Sequence, residues 1–277
     1  MIEEQIIAEI LNNAPVFILM AARALAMIEI CPILSTDSVP QVAKIGLAGF
    51  AAFSAMPTAQ AIMASDIQTL DTSLFGVAFL FLIIGEVIIG IIIGFYISII
   101  FAAFSTAGQF FSLQMGFGAS ETFDPLSQIE NPLMGQYLNL VAMLVFLSMG
   151  GFQKLFLGGF WTSVQSLNVI QLINGREAVV TMMLSGLTRL FADAIVIALP
   201  ILGTLFLTTL ATGMISKAAP QINILSEGFP ISITVAFLLI VATMPFMVEV
   251  FSRTIDNGFL AIENLYKQIG MPIGGEV

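Results

Sequence analysis

The sequence has no histidine, a single cysteine and few charged residues. Its 277 residues include 8 Lys or Arg and 18 Asp or Glu, so that 9% of the chain is charged and 58% is hydrophobic. A soluble domain carries about 25% charged residues. The composition therefore predicts an all-α, polytopic membrane protein with little polar chemistry.

Each absence excludes a class of site. One cysteine, Cys31, cannot form a disulfide within the chain, and without histidine no zinc site or Ser–His dyad can be built. No lysine is followed by Ser or Thr, which excludes a Walker-type phosphate loop. The net charge of −10 argues against a nucleic-acid partner. We therefore expect no enzyme activity, no cofactor and no metal.

What remains is a series of apolar runs separated by polar turns. The first residues, 2–13, form an amphipathic, acidic helix start, which argues against a removable signal peptide. About 20 apolar residues suffice for one crossing of a bilayer. The runs are 15–30, 45–65, 72–105, 131–153, 155–175, 194–216 and 228–248. Turns are predicted at Cys31–Pro40, Asn174-Gly175 and Lys217–Pro230.

Seven charged residues interrupt or border these runs. A charge at membrane depth costs about 2.5 kcal/mol or more on insertion scales. Arg23 and Glu29 should therefore face protein or lie near a helix end, where Arg23 could reach the interface. Glu86 should be neutralised, paired or outside the hydrocarbon. The other four are spaced i, i+4 and can pair on one helix face: Arg189 with Asp193, and Glu249 with Arg253.

The stretch Ala107–Pro132 combines Gly and Pro with apolar side chains, and its first half overlaps the 34 uncharged residues Val87–Ser120. Backbone that is kept out of a helix cannot face lipid, because its N–H and C=O groups would lack partners. Loops longer than about 12–15 residues are usually functional or disordered, and this one is too apolar for disorder. We interpret it as a non-helical gate, plug or filter; an ordinary connecting loop is the alternative.

The acidic loops around the third run conflict with a simple topology. They contain five acidic residues and no Lys or Arg: Asp66, Asp71, Glu121, Asp124 and Glu130. The positive-inside rule would place both loops outside. The run between them could then not be one span, and it is short for two. Half-length hairpins, or helices packed in an assembly away from lipid, would remove the conflict.

Four groups of residues stand out in order along the chain: Pro32-Ile-Leu-Ser-x-x-Ser-Val-Pro40 with Lys44, Ala107-Gly-x-x-x-x-Leu-Gln-Met-Gly116, Phe123-Asp-Pro125 with Asn131-Pro132, and Ala219-Pro-Gln-Ile-Asn223 with Gly228-Phe-Pro230. Together they resemble the FliR family, the flagellar member of the type III secretion export gate. The similarity covers about residues 15–250, and the turn Asp37-Ser38 with Gln41 departs from it where relatives often carry basic residues.

This resemblance implies a multi-pass subunit of the bacterial inner membrane, in the flagellar basal body. It would assemble with FliP, FliQ and other type III export components into a helical export gate that passes unfolded flagellar export substrates. It also implies a FliP-like part at residues 1–185, a FliQ-like helical hairpin at 186–262 and a C-terminal tail at 263–277.

The resemblance further implies that the loop at about Gly108–Pro125 plugs the pore. Apolar side chains can close a pore by excluding water. The residues expected to form the plug are Gln109, Phe110, Phe111, Leu113, Gln114, Met115, Gly116, Phe117 and Gly118, with Asp124, Pro125 and Pro132 as its anchor. The alternative function is an ion-coupled secondary transporter with Glu86, Arg189 and Asp193 as its intramembrane site.

Overall fold

The structure is a computed structural model that describes residues 2–36, 39–69, 76–116, 133–218 and 224–270. Side chains are described in the same ranges except for 2–12, 63–69 and 224–227. Every regular element in these ranges is a helix, which confirms the predicted all-α class. The helices are α1 (Ile2–Ile30), α2 (Gln41–Thr69), α3 (Val77–Met115), α4 (Leu133–Ser148), α5 (Gly151–Ser166), α6 (Val169–Asn174), α7 (Arg176–Ala218) and α8 (Ile224–Ile269).

Within the described residues, five helices are long and apolar enough to cross a membrane, and a sixth span results if α4 and α5 count as one broken span. α3, α7 and α8 have 39, 43 and 46 residues. At 1.5 Å per residue, 39 residues extend about 58 Å, roughly twice the hydrocarbon thickness of a bilayer. From Val77 onward, the described part of the third run is therefore one continuous helix and not two half-length hairpins.

The chain divides into two compact units. Unit 1 contains Met1–Ser98, Gly150–Ser185 and Asn257–Val277, and unit 2 contains Ile99–Met149 and Gly186–Asp256. Neither unit is continuous in sequence. The predicted division into residues 1–185, 186–262 and 263–277 stays a prediction, although its last boundary falls inside α8.

In unit 1, small residues let α1 approach its neighbours. A Cβ at Gly94 would lie 2.8 Å from the carbonyl oxygen of Met27, and one at Gly90 would collide with the carbonyl oxygen of Arg23. Gly90 and Gly94 are therefore packing residues, as a small-xxx-small pattern predicts. α2 buries a row of alanines: Ala48, Ala51, Ala52, Ala55 and Ala59.

In unit 2, α3 and α4 cross where Gly108 of α3 meets Gly135 of α4. A Cβ at Gly108 would lie 2.5 Å from the Met134 carbonyl oxygen and 2.6 Å from Gly135. Phe101 packs edge-on against Phe146 with ring centroids 5.7 Å apart, and Phe104 lies 4.4 Å from Phe251. Aromatic pairs at these separations are favourable beyond their burial, so this cluster fixes the second half of α3 in unit 2.

Two predicted loops are partly helical, so these predictions are wrong in part. Non-helical backbone was expected from residue 107, but α3 continues to Met115 because Gln, Phe, Leu and Met are compatible with helix and no Pro occurs there. The loop expected to reach Pro230 gives way to α8 at Ile224. A single proline removes one backbone hydrogen bond, and this helix of 46 residues continues through it.

Candidate functional site

The end of α3 forms the base of the expected plug. Gly116 follows the helix with φ 90°, a left-handed conformation that favours glycine. Its N–H donates to the Leu113 carbonyl oxygen at 3.1 Å. The ring of Phe229 lies against Gly116 so closely that any side chain at this position would collide with it. The direction in which the chain leaves α3 therefore depends on glycine at this position.

The expected plug residues on α3 divide into a buried and an open face. Phe111 and Met115 are fully buried within the chain, whereas Leu113 is 68% exposed. Gln114 is also exposed, and Gln109 and Phe110 are half-buried. Leu113 is therefore the large apolar side chain with the most free surface here. Phe117, Gly118, Asp124, Pro125 and Pro132 lie outside the described residues.

The two most deeply placed charges, Arg23 and Glu86, form one ion pair in unit 1. Arg23 Nε donates directly to Glu86 Oε2, and both side chains are 0% exposed. Of the three alternatives for Glu86, the structure therefore selects pairing. Glu86 Oε1 is buried and has no hydrogen-bond partner among the described residues. Arg23 is enclosed by protein and does not extend to an interface.

Arg23 has two further partners, both at the end of α5. Its guanidinium donates to Ser163 Oγ at 3.1 Å and to the Leu167 carbonyl oxygen at 3.0 Å. Ser163 in turn donates to the Phe160 carbonyl oxygen at 2.6 Å. The charge thus joins α1, α3 and α5. Sequence reasoning missed Ser163, because a serine in an apolar run is common and gives no signal.

A second ion pair closes the first helical hairpin. Lys44 Nζ donates to Glu29 Oε2 at 3.1 Å and to the Ser35 carbonyl oxygen at 3.3 Å. The Lys44 side chain is 4% exposed and that of Glu29 is 35% exposed. Lys44 appeared in the sequence only as part of a motif, and its structural role is to hold the predicted turn Cys31–Pro40 between α1 and α2.

The four charges expected on α7 and α8 lie in unit 2. Arg189, Glu249 and Arg253 are exposed on the chain itself, and Asp193 is half-buried. The Asp193 carboxylate interacts with the hydroxyl of Thr254 and lies near the charges of Arg189 and Arg253. Its i, i+4 pairing with Arg189 stays a prediction. The burial of the three exposed charges stays a prediction about an assembly.

The transporter alternative stays a prediction. Glu86 pairs with Arg23 in unit 1, and Arg189 and Asp193 belong to unit 2. In the parts of the chain that the structure describes, no group of three or more His, Cys, Asp or Glu side chains could hold a metal ion.

Comparison with known proteins gives consistent matches along most of the chain. The family described as bacterial export proteins, family 1, matches residues 14–258. The flagellar biosynthetic protein FliR of Escherichia coli (strain K12) is 32% identical over 228 residues, covering 80% of this chain and 82% of that protein. FliR of Bacillus subtilis (strain 168) is 29% identical over 268 residues, covering 95% and 98%. The surface presentation of antigens protein SpaR of Shigella sonnei is 30% identical over 176 residues, covering 63% and 64%.

Proposed function

The chain belongs to family 1 of the bacterial export proteins, and from this membership we propose that it is a membrane subunit of the flagellar type III protein export gate. It lies in the bacterial inner membrane as a multi-pass protein and has a structural, non-enzymatic role. The observation that carries this proposal is the match over residues 14–258, since it covers most of the chain and not a single motif.

The proposed partners are FliP, FliQ and other export components. Two features of the chain support partners of this kind. Exposed charges within long apolar helices, such as Arg189 and Arg253, need protein or water rather than lipid around them. α3, α7 and α8 also exceed the length that a bilayer can cover. A protein assembly would surround the exposed charges and would cover the parts of these helices that extend beyond the bilayer.

The proposed domain division keeps a FliP-like part at residues 1–185 and a FliQ-like hairpin at 186–262, with α7 and α8 as the hairpin helices. These two helices have 43 and 46 residues and are joined through residues 219–223. Their continuity and their order in the chain support a hairpin. Expression of the segment 186–262 with the assembly partners would test the division, because a FliQ-like unit should still associate with them.

The proposed plug is a rigid base on α3 followed by residues 116–125. Phe111 and Met115 hold the base through packing within unit 2, and Leu113 presents its apolar surface outward. A pore that passes unfolded chains must be closed to ions at rest, and apolar surface closes pores by excluding water. Leu113 therefore acts in the seal, while Phe111 and Met115 act on the stability of the base.

Leu113→Gln tests this assignment. The change adds polar groups to the seal without removing buried packing, so the assembled gate should leak ions at rest, with membrane conductance raised several-fold and complex yield unchanged. Leu140→Gln is the matched control, because Leu140 is also exposed in unit 2, at 58%, and lies on α4. Unchanged conductance in the Leu113 variant would place the seal in a partner.

A further inference from the structure

The centre of α5 is a π-helix of eight residues, Lys154–Trp161. Its hydrogen bonds join residues five apart, so that the stretch holds one residue more than an α-helix of the same length. Such insertions are rare and occur frequently at functional sites. The position of this extra residue determines the direction in which the following side chains of α5 point. A contact that fixes its position therefore also fixes those side chains.

The π-helix ends at Trp161, and α-helix resumes at Thr162. The Thr162 N–H points at both the Leu157 and the Gly159 carbonyl oxygens, which lie five and three residues earlier. At such a transition a carbonyl can change its partner within the helix. A donor from outside the helix that binds one particular carbonyl therefore decides where the transition falls.

Tyr266 supplies that donor. Its hydroxyl donates to the Gly159 carbonyl oxygen at 2.7 Å, although the two residues are 107 positions apart. Tyr266 is 1% exposed, and Gly159 is buried against Ile93, with 3.5 Å between a Cβ built at Gly159 and Cγ2 of Ile93. All these residues belong to unit 1. The same hydroxyl also lies within hydrogen-bonding reach of the Ser163 side chain, so Tyr266 faces both the transition and a residue just beyond it.

The downstream end of α5 is where the register matters. Ser163 Oγ and the Leu167 carbonyl oxygen both receive hydrogen bonds from Arg23. If the extra residue were displaced from Gly159 to the C-terminal end of α5, the residues between the two positions would rotate by about 100° and shift by about 1.5 Å. Ser163 would then no longer face Arg23, and a buried guanidinium would lose two acceptors.

We propose that Tyr266 is the positioning residue that sets the register of α5: by holding the π-helix at Gly159 it places Ser163 and the Leu167 carbonyl opposite Arg23. The C-terminal end of α8 thereby controls the environment of the buried Arg23–Glu86 pair. This role lies beyond the proposed export function and does not depend on it.

Tyr266→Phe and deletion of Gly158, in the complex purified with its partners, test the proposal. Gly158 is exposed and a Cβ there would have no neighbour within 4 Å. Deletion of Gly158 should convert the π-helix to α-helix, while the side chains before and after this stretch keep the direction in which they point. Tyr266→Phe should lower the melting temperature of the complex by several degrees, whereas the double variant should melt like the Gly158 deletion alone. If Tyr266→Phe lowered the melting temperature equally with and without Gly158, the proposal would be overturned, because the Tyr266 hydroxyl would then be an ordinary polar contact.

Gly158→Ala is the control, because it keeps the residue count and should leave the loss from Tyr266→Phe intact. If the deletion variant fails to assemble, hydrogen exchange decides instead. Tyr266→Phe should then accelerate exchange throughout 159–167, and Tyr137→Phe in unit 2 should not. Faster exchange confined to residues 159 and 160 would contradict control of the register.

Discussion

At the scale of single residues, the Arg23–Glu86 pair is the fully buried ion pair of unit 1 among the described residues. Breaking a buried pair by removing one partner costs about 3–5 kcal/mol, because the remaining charge is left without compensation. Glu86→Ala should therefore lower the yield of assembled complex strongly. Glu86→Gln should be milder, since its amide oxygen can still accept from Arg23 Nε.

The double variant Arg23→Met with Glu86→Met separates pairing from simple disruption. It removes both charges together and should recover part of the yield that either single Met variant loses. The measurement is complex yield and melting temperature for all four members of the cycle. Losses that merely add would show that the two side chains do not depend on each other.

Cys31 gives a second prediction at this scale. It lies directly after α1 and is 0% exposed, and burial raises the pKa of its thiol from 9.0 to about 11 against the lowering effect of two backbone hydrogen bonds. Because the thiolate is the reactive form, maleimide should label Cys31 only after denaturation. Introduced Ser54→Cys, on the exposed face of α2, is the positive control.

The raised pKa of the Cys31 thiol also determines how the free energy of unfolding changes with pH. The folded chain keeps the thiol proton between pH 9.0 and about 11, while the unfolded chain loses it. The contribution of Cys31 to the free energy of unfolding is therefore complete below pH 9 and falls as the pH rises toward 11. The Cys31→Ala variant should lack this part of the decrease in the free energy of unfolding between pH 9 and about 11. The measurement is unfolding of the assembled complex as a function of pH.

At the scale of helices, the crossing of α1 and α3 can be tested with one matched pair of glycines. A Cβ at Gly90 would collide with the Arg23 carbonyl oxygen, whereas one at Gly46 on α2 would meet nothing within 4 Å. Gly90→Ala should force α1 and α3 apart and destabilise unit 1 by about 1–3 kcal/mol, as overpacking does. Gly46→Ala should be neutral. Equal melting temperatures for the two variants would contradict this crossing.

Sequence patterns predicted some of these elements well and others poorly, for physical reasons. Gly90 and Gly94 lie on one helix face because they are four residues apart, and this spacing alone predicts close packing. Arg23 and Glu86 were each predicted to need cover, but they lie 63 residues apart and nothing local identifies the partner. The π-helix was not predicted either: the adjacent Gly158 and Gly159 weaken an α-helix without specifying a π-helix, and the register depends on a distant tyrosine.

The predicted i, i+4 pairs on α7 and α8, Arg189 with Asp193 and Glu249 with Arg253, stay predictions. Spacing of i, i+4 makes contact possible but does not decide it, because tertiary neighbours compete. Asp193 lies near the charge of Arg253 of the other helix as well as near that of Arg189. The ion pair of this spacing among the described residues joins Glu263 and Lys267 at 2.7 Å, on an exposed part of α8.

At the scale of the whole molecule, we expect that the chain is not stable alone. Arg189, Glu249 and Arg253 are exposed within long apolar helices, and each would cost about 2.5 kcal/mol or more against lipid. Expressed without partners, the chain should be degraded or aggregate, and co-expression with the other gate subunits should rescue it. A monodisperse, protease-resistant monomer in detergent would contradict this expectation.

The length of α3 has a consequence for biosynthesis. Even when tilted by 40°, the upper end of the usual range, its 39 residues span about 44 Å of depth. During synthesis the insertion machinery meets an apolar segment, with Glu86 as its one charge, that is longer than one crossing and therefore does not by itself specify which part lies in lipid. Neighbouring subunits that cover the remaining part would then fix the position of the helix. The order in which subunits are synthesised should therefore influence how much chain reaches the native assembly.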